Sequence, residues 1–117
     1  MADLEGEIEI RYASDNWGAF SFPFETLIPT GDAIDTATIR AFIGNVKPKS
    51  DLADFTEITT DLIDDDFTPQ ISADTTVLVK FKYPGATHKN TKATLIFELT
   101  LESGAEHPFY FQYVKIY

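Results

Sequence analysis

A regular alternation of apolar and other side chains from Thr91 to Tyr117 limits most strongly the folds open to this chain. In Thr94–Leu101 an apolar residue occupies every second position, and Phe109–Tyr117 is dense in aromatic and branched residues. A period of two residues is typical of a β-strand with one buried face. The turn residues Ser103-Gly104-Ala105 separate the two runs. We therefore predict a β-hairpin whose second strand lies at the edge of a sheet, where another chain could dock.

The same alternation recurs in four earlier segments, which are Gly6–Tyr12, Phe20–Phe24, Thr36–Ile43 and Thr75–Tyr83. Pro23 lacks the N–H that a strand ladder needs, so the second of these strands is predicted at an edge or with a bend. Between residues 51 and 66 the pattern is mixed, and we expect a short strand near Phe55–Ile58 and a turn at Thr60-Asp61. About seven strands with turns between them predict an all-β fold, a single antiparallel β-sandwich that spans residues 1–117.

The bulk composition excludes several classes of protein. The chain has 117 residues, which is the length of one domain. It has no cysteine, which rules out disulfide scaffolds, thiolate zinc sites and cysteine nucleophiles. A formal charge of −10 disfavours nucleic acid as a partner. Charges interrupt every apolar stretch before the roughly 20 residues needed to cross a bilayer, and no signal-peptide pattern is visible, so we expect a cytoplasmic product and no membrane partner.

The charges are distributed unevenly along the chain. Acidic residues dominate the segment 51–66, at Asp51, Asp54, Glu57, Asp61, Asp64, Asp65 and Asp66. Basic residues gather between Lys80 and Lys92. A soluble monomer with a mixed surface is the simpler interpretation of this pattern. The alternative is that the acidic edge of one copy approaches the basic edge of another.

The sequence contains no motif typical of a metal site or an active site. The acidic run Asp61–Asp66 is the best candidate for calcium, but its consecutive carboxylates do not match the alternating ligands of an EF-hand loop, and a solvated turn is expected there. His88 and His107 fall in different loops without a third zinc ligand. No serine has a Gly-x-Ser-x-Gly setting, and the single glycines form no phosphate-binding loop. We expect a protein that is not an enzyme and has no cofactor.

The aromatic residues Trp17, Phe20, Phe22 and Phe24 allow two interpretations. They could form a sugar-stacking surface, with Trp17 as its anchor. They could equally belong to the core, because phenylalanine is mainly a packing residue whereas sugar-binding surfaces rely on tryptophan and tyrosine.

Four short patterns carry a resemblance to a known family. They are the Gly31-Asp-Ala-Ile34 turn before a strand, Thr60-Asp-Leu-Ile63, Ile71-Ser-Ala-Asp-Thr75 and the hairpin Glu102-Ser-Gly-Ala-Glu106. From Leu27 to Tyr117 the chain resembles the immunoglobulin-like β-sandwich virion proteins of tailed bacteriophages, of the fibre-to-tail adaptor or head decoration type. The resemblance implies a structural protein of the capsid or tail, made in the host cytoplasm and located in the virion. Its expected partners are other virion proteins, in multiple copies within a symmetric assembly.

Loops carry the partner contacts in that family, and this chain departs from the family pattern in the loop Gly85–Asn90. Strands at an edge, here Phe20–Phe24 or Phe109–Tyr117, could also extend a neighbour's sheet through main-chain hydrogen bonds. We therefore expect partner contacts at Trp17, Phe20, Phe22, Phe24, His88, Lys89, Tyr113 and Tyr117. The alternative function is a carbohydrate-binding or adhesive module that uses Trp17 and the neighbouring loops.

Overall fold

The computed structural model describes residues 7–10, 19–28, 30–47, 51–63, 70–81, 90–104 and 109–116. The chain is all-β, and its strands are β1 (Glu7–Ile10), β2 (Ala19–Pro23), β3 (Ile34–Ile43), β4 (Gln70–Ser72), β5 (Thr76–Lys80), β6 (Thr91–Leu101) and β7 (Phe109–Ile116). A 3-10 turn at Leu52–Asp54 and one helical turn, α1 (Thr59–Leu62), interrupt them. Within these ranges no helix is long and apolar enough to cross a membrane.

The strands form two sheets with the strand order of an immunoglobulin domain. One sheet has the order β1-β7-β6-β3 and the other the order β2-β5-β4. The third, sixth and seventh strands therefore share one sheet, and the second, fourth and fifth share the other, as in the immunoglobulin sandwich. This confirms the predicted all-β sandwich of about seven strands. One pair departs from the antiparallel prediction, because β1 runs parallel to β7.

The main core lies between the two sheets and is rich in aromatic side chains. Phe97 at the centre of β6 is fully buried, and its ring centroid lies 4.9 Å from that of Phe22 and 5.3 Å from that of Phe24. Val77, Val79 and Phe81 alternate inward from the opposite sheet and are also fully buried. Side chains from both inner faces thus interlock, as the period of two in the sequence predicts.

The outer face of the four-stranded sheet is also partly buried, which the sequence pattern did not indicate. A second apolar cluster contains Phe42, Val46, Ile96 and Phe111, with Leu52 and Phe55 packed against it. Phe42, Ile96 and Phe111 come from the outer face of the sheet, whereas the other three come from the connection after β3. We call that connection the cover segment and define it as residues 44–47 and 51–58.

The strand predicted near Phe55–Ile58 is wrong, apart from a single bridge between Glu57 and Phe42. The Asp51 carboxylate accepts a hydrogen bond from the Ala53 N–H at 3.0 Å and caps the 3-10 turn. Ile58 and Leu62, four residues apart, are both buried in the main core. Their spacing matches one helical turn, so burial of both side chains favours α1, which contains the predicted turn at Thr60-Asp61.

Of the two strands predicted at sheet edges, β2 lies at an edge and β7 does not along half of its length. β2 lies at an edge of the three-stranded sheet and contains Pro23, as predicted. β7 is not an edge strand along Tyr113–Ile116, because β1 pairs with these residues on the side away from β6. The prediction of a terminal edge strand is therefore wrong for this stretch. Local alternation identifies a strand but holds no information on its second neighbour.

Candidate functional site

Two of the rings expected to contact a partner lie inside the sandwich. Phe22 and Phe24 point inward from β2 with only 3% and 0% of their surface exposed. Phe20 is half-buried, and its ring meets Phe81 edge-on with the centroids 5.0 Å apart. The expectation that Phe22 and Phe24 touch a partner is incompatible with their burial, since a partner would have to displace the core. The core interpretation of these aromatics is the correct one.

Tyr113 is half-buried on the outer face of the four-stranded sheet and belongs to the attachment of the cover segment. Its hydroxyl donates a hydrogen bond to the Val46 carbonyl oxygen at 3.1 Å. Trp17, His88, Lys89 and Tyr117 lie outside the described residues, so contacts made by these four stay predictions. The glycan alternative, which depends on Trp17, stays a prediction as well.

The predicted calcium candidate falls largely outside the described residues too, since Asp64–Asp66 and both histidines belong to that part of the chain. Among the residues that the structure describes, no group of three or more histidine, aspartate or glutamate side chains is placed to hold a metal ion.

The cover segment is fastened to the sheet by a buried threonine. The Thr94 hydroxyl donates to the Gly44 carbonyl oxygen at 2.7 Å and accepts from the Val46 N–H at 3.0 Å, and Thr94 is fully buried. Gly44 adopts a φ of 97°, which permits the sharp exit from β3. Both hydrogen bonds of the Thr94 hydroxyl therefore satisfy main-chain groups at the point where the cover segment leaves β3.

An ion pair holds the far end of the cover segment. Arg40 donates to the two carboxylate oxygens of Glu57, from Nη2 at 2.8 Å and from Nε at 3.3 Å, and the Thr59 hydroxyl donates to the same carboxylate at 2.7 Å. The Arg40 guanidinium also lies 4.9 Å from the centroid of the Phe42 ring. The hydrogen bonds from Arg40 and Thr59 lower the pKa of Glu57. Arg40 and Glu57 are 52% and 42% exposed, so water screens this pair strongly.

At one end of the sandwich, a carboxylate joins the β2–β3 connection to the turn after β6. Asp32 accepts from the Ser103 hydroxyl at 2.6 Å, from the Ser103 N–H at 3.3 Å and from the Ala33 N–H at 2.8 Å. The hydrogen bond from the Ser103 side chain is the main cause of a lowered pKa of Asp32. In the same β2–β3 connection, the Leu27 carbonyl oxygen accepts a hydrogen bond from the Tyr110 hydroxyl at 3.0 Å, and burial raises the pKa of Tyr110. These contacts hold the β2–β3 connection against β6 and β7.

Among the described residues, the outer face of the three-stranded sheet is an exposed surface with little charge. Six of its outward side chains are uncharged, and we call these six the neutral face: Ser21, Pro23, Gln70, Ser72, Thr76 and Leu78. Register aligns them in two rows, with half-buried Leu78 between Ser21 and Gln70, and Thr76 between Pro23 and Ser72. Among the described outward residues of this sheet, Lys80 at one end of β5 is the one that carries a charge.

Sequence reasoning missed the neutral face. Each of its residues is ordinary for an exposed strand position, and no local pattern joins them. The three strands come from separate parts of the chain, and β4 was too short to give a signal of its own. The turn from β4 to β5 also contains no glycine to mark it in the sequence, although Ala73 and Asp74 adopt the positive φ values of 52° and 66° that glycine favours.

Comparisons of the chain with models of protein families, with curated proteins and with solved structures found no match.

Proposed function

We propose that this chain is a non-enzymatic structural domain that binds other protein subunits through the neutral face, and that its setting is the particle of a tailed bacteriophage. The neutral face carries the first part of the proposal. The phage setting is supported by the sequence patterns between Gly31 and Glu106.

A patch without charge stands out on this chain, which has 19 acidic and 9 basic residues among 117. Burial of an unpaired charge against a partner is unfavourable, so the centres of protein interfaces are depleted in charged residues. Leu78 at the centre, surrounded by small polar side chains and Pro23, has the composition of such a centre. An exposed sheet face suits the surface of another protein better than a small ligand, which generally occupies a concave site.

Addition of a strand at a sheet edge is less suited to this fold than docking on a face. On β3 the cover segment already occupies the edge, with the Ile43 N–H donating to the Thr56 carbonyl at 2.9 Å and the Ile58 N–H donating to the Ala41 carbonyl at 2.8 Å. On β7 the edge is occupied by β1, and on β2 the edge lacks one main-chain donor because of Pro23. Short strands and prolines protect edges against pairing. We therefore assign partner binding to a face.

Incorporation into particles tests this proposal. Tagged protein is produced in cells that assemble the particle, and its amount in particles is measured after banding in a density gradient. Leu78→Glu should reduce incorporation at least about tenfold, because a carboxylate would have to be desolvated at the centre of the interface. Thr38→Glu is the matched control, since Thr38 is exposed on the outer face of the other sheet, and it should leave incorporation unchanged.

Equal incorporation of the Leu78→Glu and Thr38→Glu proteins would refute binding through the neutral face. A wild-type protein absent from banded particles would refute the phage setting.

A further inference from the structure

We propose that the neutral face is self-complementary and that its partner is the neutral face of a second copy, with the β5 strands of the two copies antiparallel across a two-fold axis. This inference rests on the proposed function, because it names the partner of the same surface.

Opposite charges lie at the two ends of the neutral face. Lys80 is at the end of β5, and exposed Glu25 and Asp74 lie beyond the other end, next to the row of Pro23 and Thr76. The Phe24 N–H donates to the Thr75 carbonyl oxygen at 2.8 Å, which extends the ladder past that row and brings the chain at Glu25 beside Asp74. The neutral face thus separates a cationic end from an acidic end.

This charge distribution selects one of the two ways in which the faces can stack. A two-fold axis along the strands would place Lys80 against Lys80 and each acidic end against another. An axis in the interface plane and perpendicular to β5 reverses the second copy, so that Lys80 of each copy lies near Glu25 and Asp74 of the other. Lys80 and Asp74 lie equally far from position 77, so the axis crosses β5 between Leu78 and Thr76. Leu78 of each copy then faces Thr76 of the other, which is an isologous contact.

The size of the neutral face limits the strength of this dimer. Three strands about 4.8 Å apart and five residues of about 3.3 Å each give a patch of roughly 14 by 16 Å. The area of this patch is well below the roughly 800 Å² that each partner buries in a stable complex, so we expect a weak dimer of the isolated protein. Many copies held at high local concentration in an assembly would strengthen it without any new contact.

Sedimentation equilibrium of the purified full chain, from about 10 µM to about 1 mM, tests the inference in the absence of any other virion protein. The wild-type chain should form a reversible dimer in this range. Leu78→Glu and Ser21→Arg should remain monomeric, because each variant buries an unpaired charge from both copies in the interface. Ser21 is exposed, so its replacement does not depend on core packing, and circular dichroism verifies folding. Thr38→Glu should dimerise like the wild type.

A charge exchange tests the orientation. Lys80→Glu and Glu25→Lys should each weaken self-association. The effect of Lys80→Glu should be about tenfold or more, because the new carboxylate of each copy lies near both Glu25 and Asp74 of the other. An equimolar mixture of the two variants should form a heterodimer close to wild-type affinity, because each ion pair again joins a lysine to an acidic residue. A mixture no tighter than the separate variants would overturn the antiparallel arrangement.

A wild-type protein that stays monomeric at about 1 mM, or a Leu78→Glu protein that dimerises normally, would overturn the self-pairing. If the wild type is monomeric and Leu78→Glu still fails to enter particles, the inference is wrong while the proposed function stands. If the wild type dimerises and Leu78→Glu enters particles normally, the proposed function is wrong and the inferred contact is a property of the isolated chain alone.

Discussion

Replacement of Thr94 by valine tests whether one buried hydroxyl fastens the cover segment to the sheet. Valine has nearly the same shape as threonine, and its branched side chain suits a strand. The substitution therefore removes the bonds to the Gly44 carbonyl and the Val46 N–H while it leaves a side chain of similar volume at this fully buried position.

The expected loss follows from the two main-chain groups left without their partner. A buried polar group that loses its hydrogen bond costs about 1–3 kcal/mol. Partial relaxation and entry of water reduce the sum, so Thr94→Val should lower the free energy of unfolding by about 2–4 kcal/mol. For a domain of this size a loss of about 3 kcal/mol lowers Tm by on the order of 10 °C.

Urea denaturation followed by circular dichroism measures this change, and hydrogen exchange shows where it originates. The Val46 amide should exchange faster in Thr94→Val, because it loses its acceptor. Thr38→Val is the matched control, since Thr38 lies exposed on the same face of the same sheet, opposite Glu98. That control should change stability by less than about 0.5 kcal/mol. A Thr94→Val protein as stable as the control, with Val46 exchange unchanged, would refute the reasoning.

Two further predictions concern the carboxylates that join separate parts of the fold. Folding lowers the pKa of Asp32 below its ordinary 3.8, so its stabilisation is present above that value and is lost as the pH falls through the folded pKa. Urea midpoints at about pH 6 and about pH 2.5 should therefore fall less in Asp32→Asn than in the wild type, and equal falls would contradict the role of the Ser103 contact. Glu57→Gln should cost less than about 1 kcal/mol at low salt because the pair with Arg40 is exposed, and the difference should shrink in about 1 M salt. A large loss that persists in salt would show that Glu57 acts through packing.

The alternation of apolar and polar residues predicted the strands in which the period of two is clear. β6 and β7 appear within the predicted hairpin, β5 lies within the predicted Thr75–Tyr83, and β3 begins two residues before the predicted Thr36–Ile43. Pro23 correctly indicated that β2 is an edge strand, because proline itself has no N–H to donate to a neighbouring strand. In the segment 51–62 the predicted turn at Thr60-Asp61 lies within α1, but the strand near Phe55–Ile58 was predicted wrongly, because threonines that favour extension compete there with Ile58 and Leu62 at helical spacing. Burial of both apolar side chains decides that competition.

The candidate site was mostly beyond the reach of such patterns. Phe22 and Phe24 alternate as exposed rings on a sheet would, and only the opposing sheet shows that they are core. Thr94 looks like a solvent-facing strand residue until the cover segment is placed above it. The neutral face exists only once β2, β5 and β4 lie side by side.

The sequence by itself therefore determined which segments are strands and which side chains of each strand share a face, because the period of two is set within a few neighbouring residues. Tertiary structure decided which sheet faces are covered and that β1 pairs with β7. It also placed the neutral face between Lys80 at one end and Glu25 and Asp74 at the other. These features depend on contacts between residues far apart in the chain. Their free energy comes from packing and from satisfied main-chain groups, which no single segment contains.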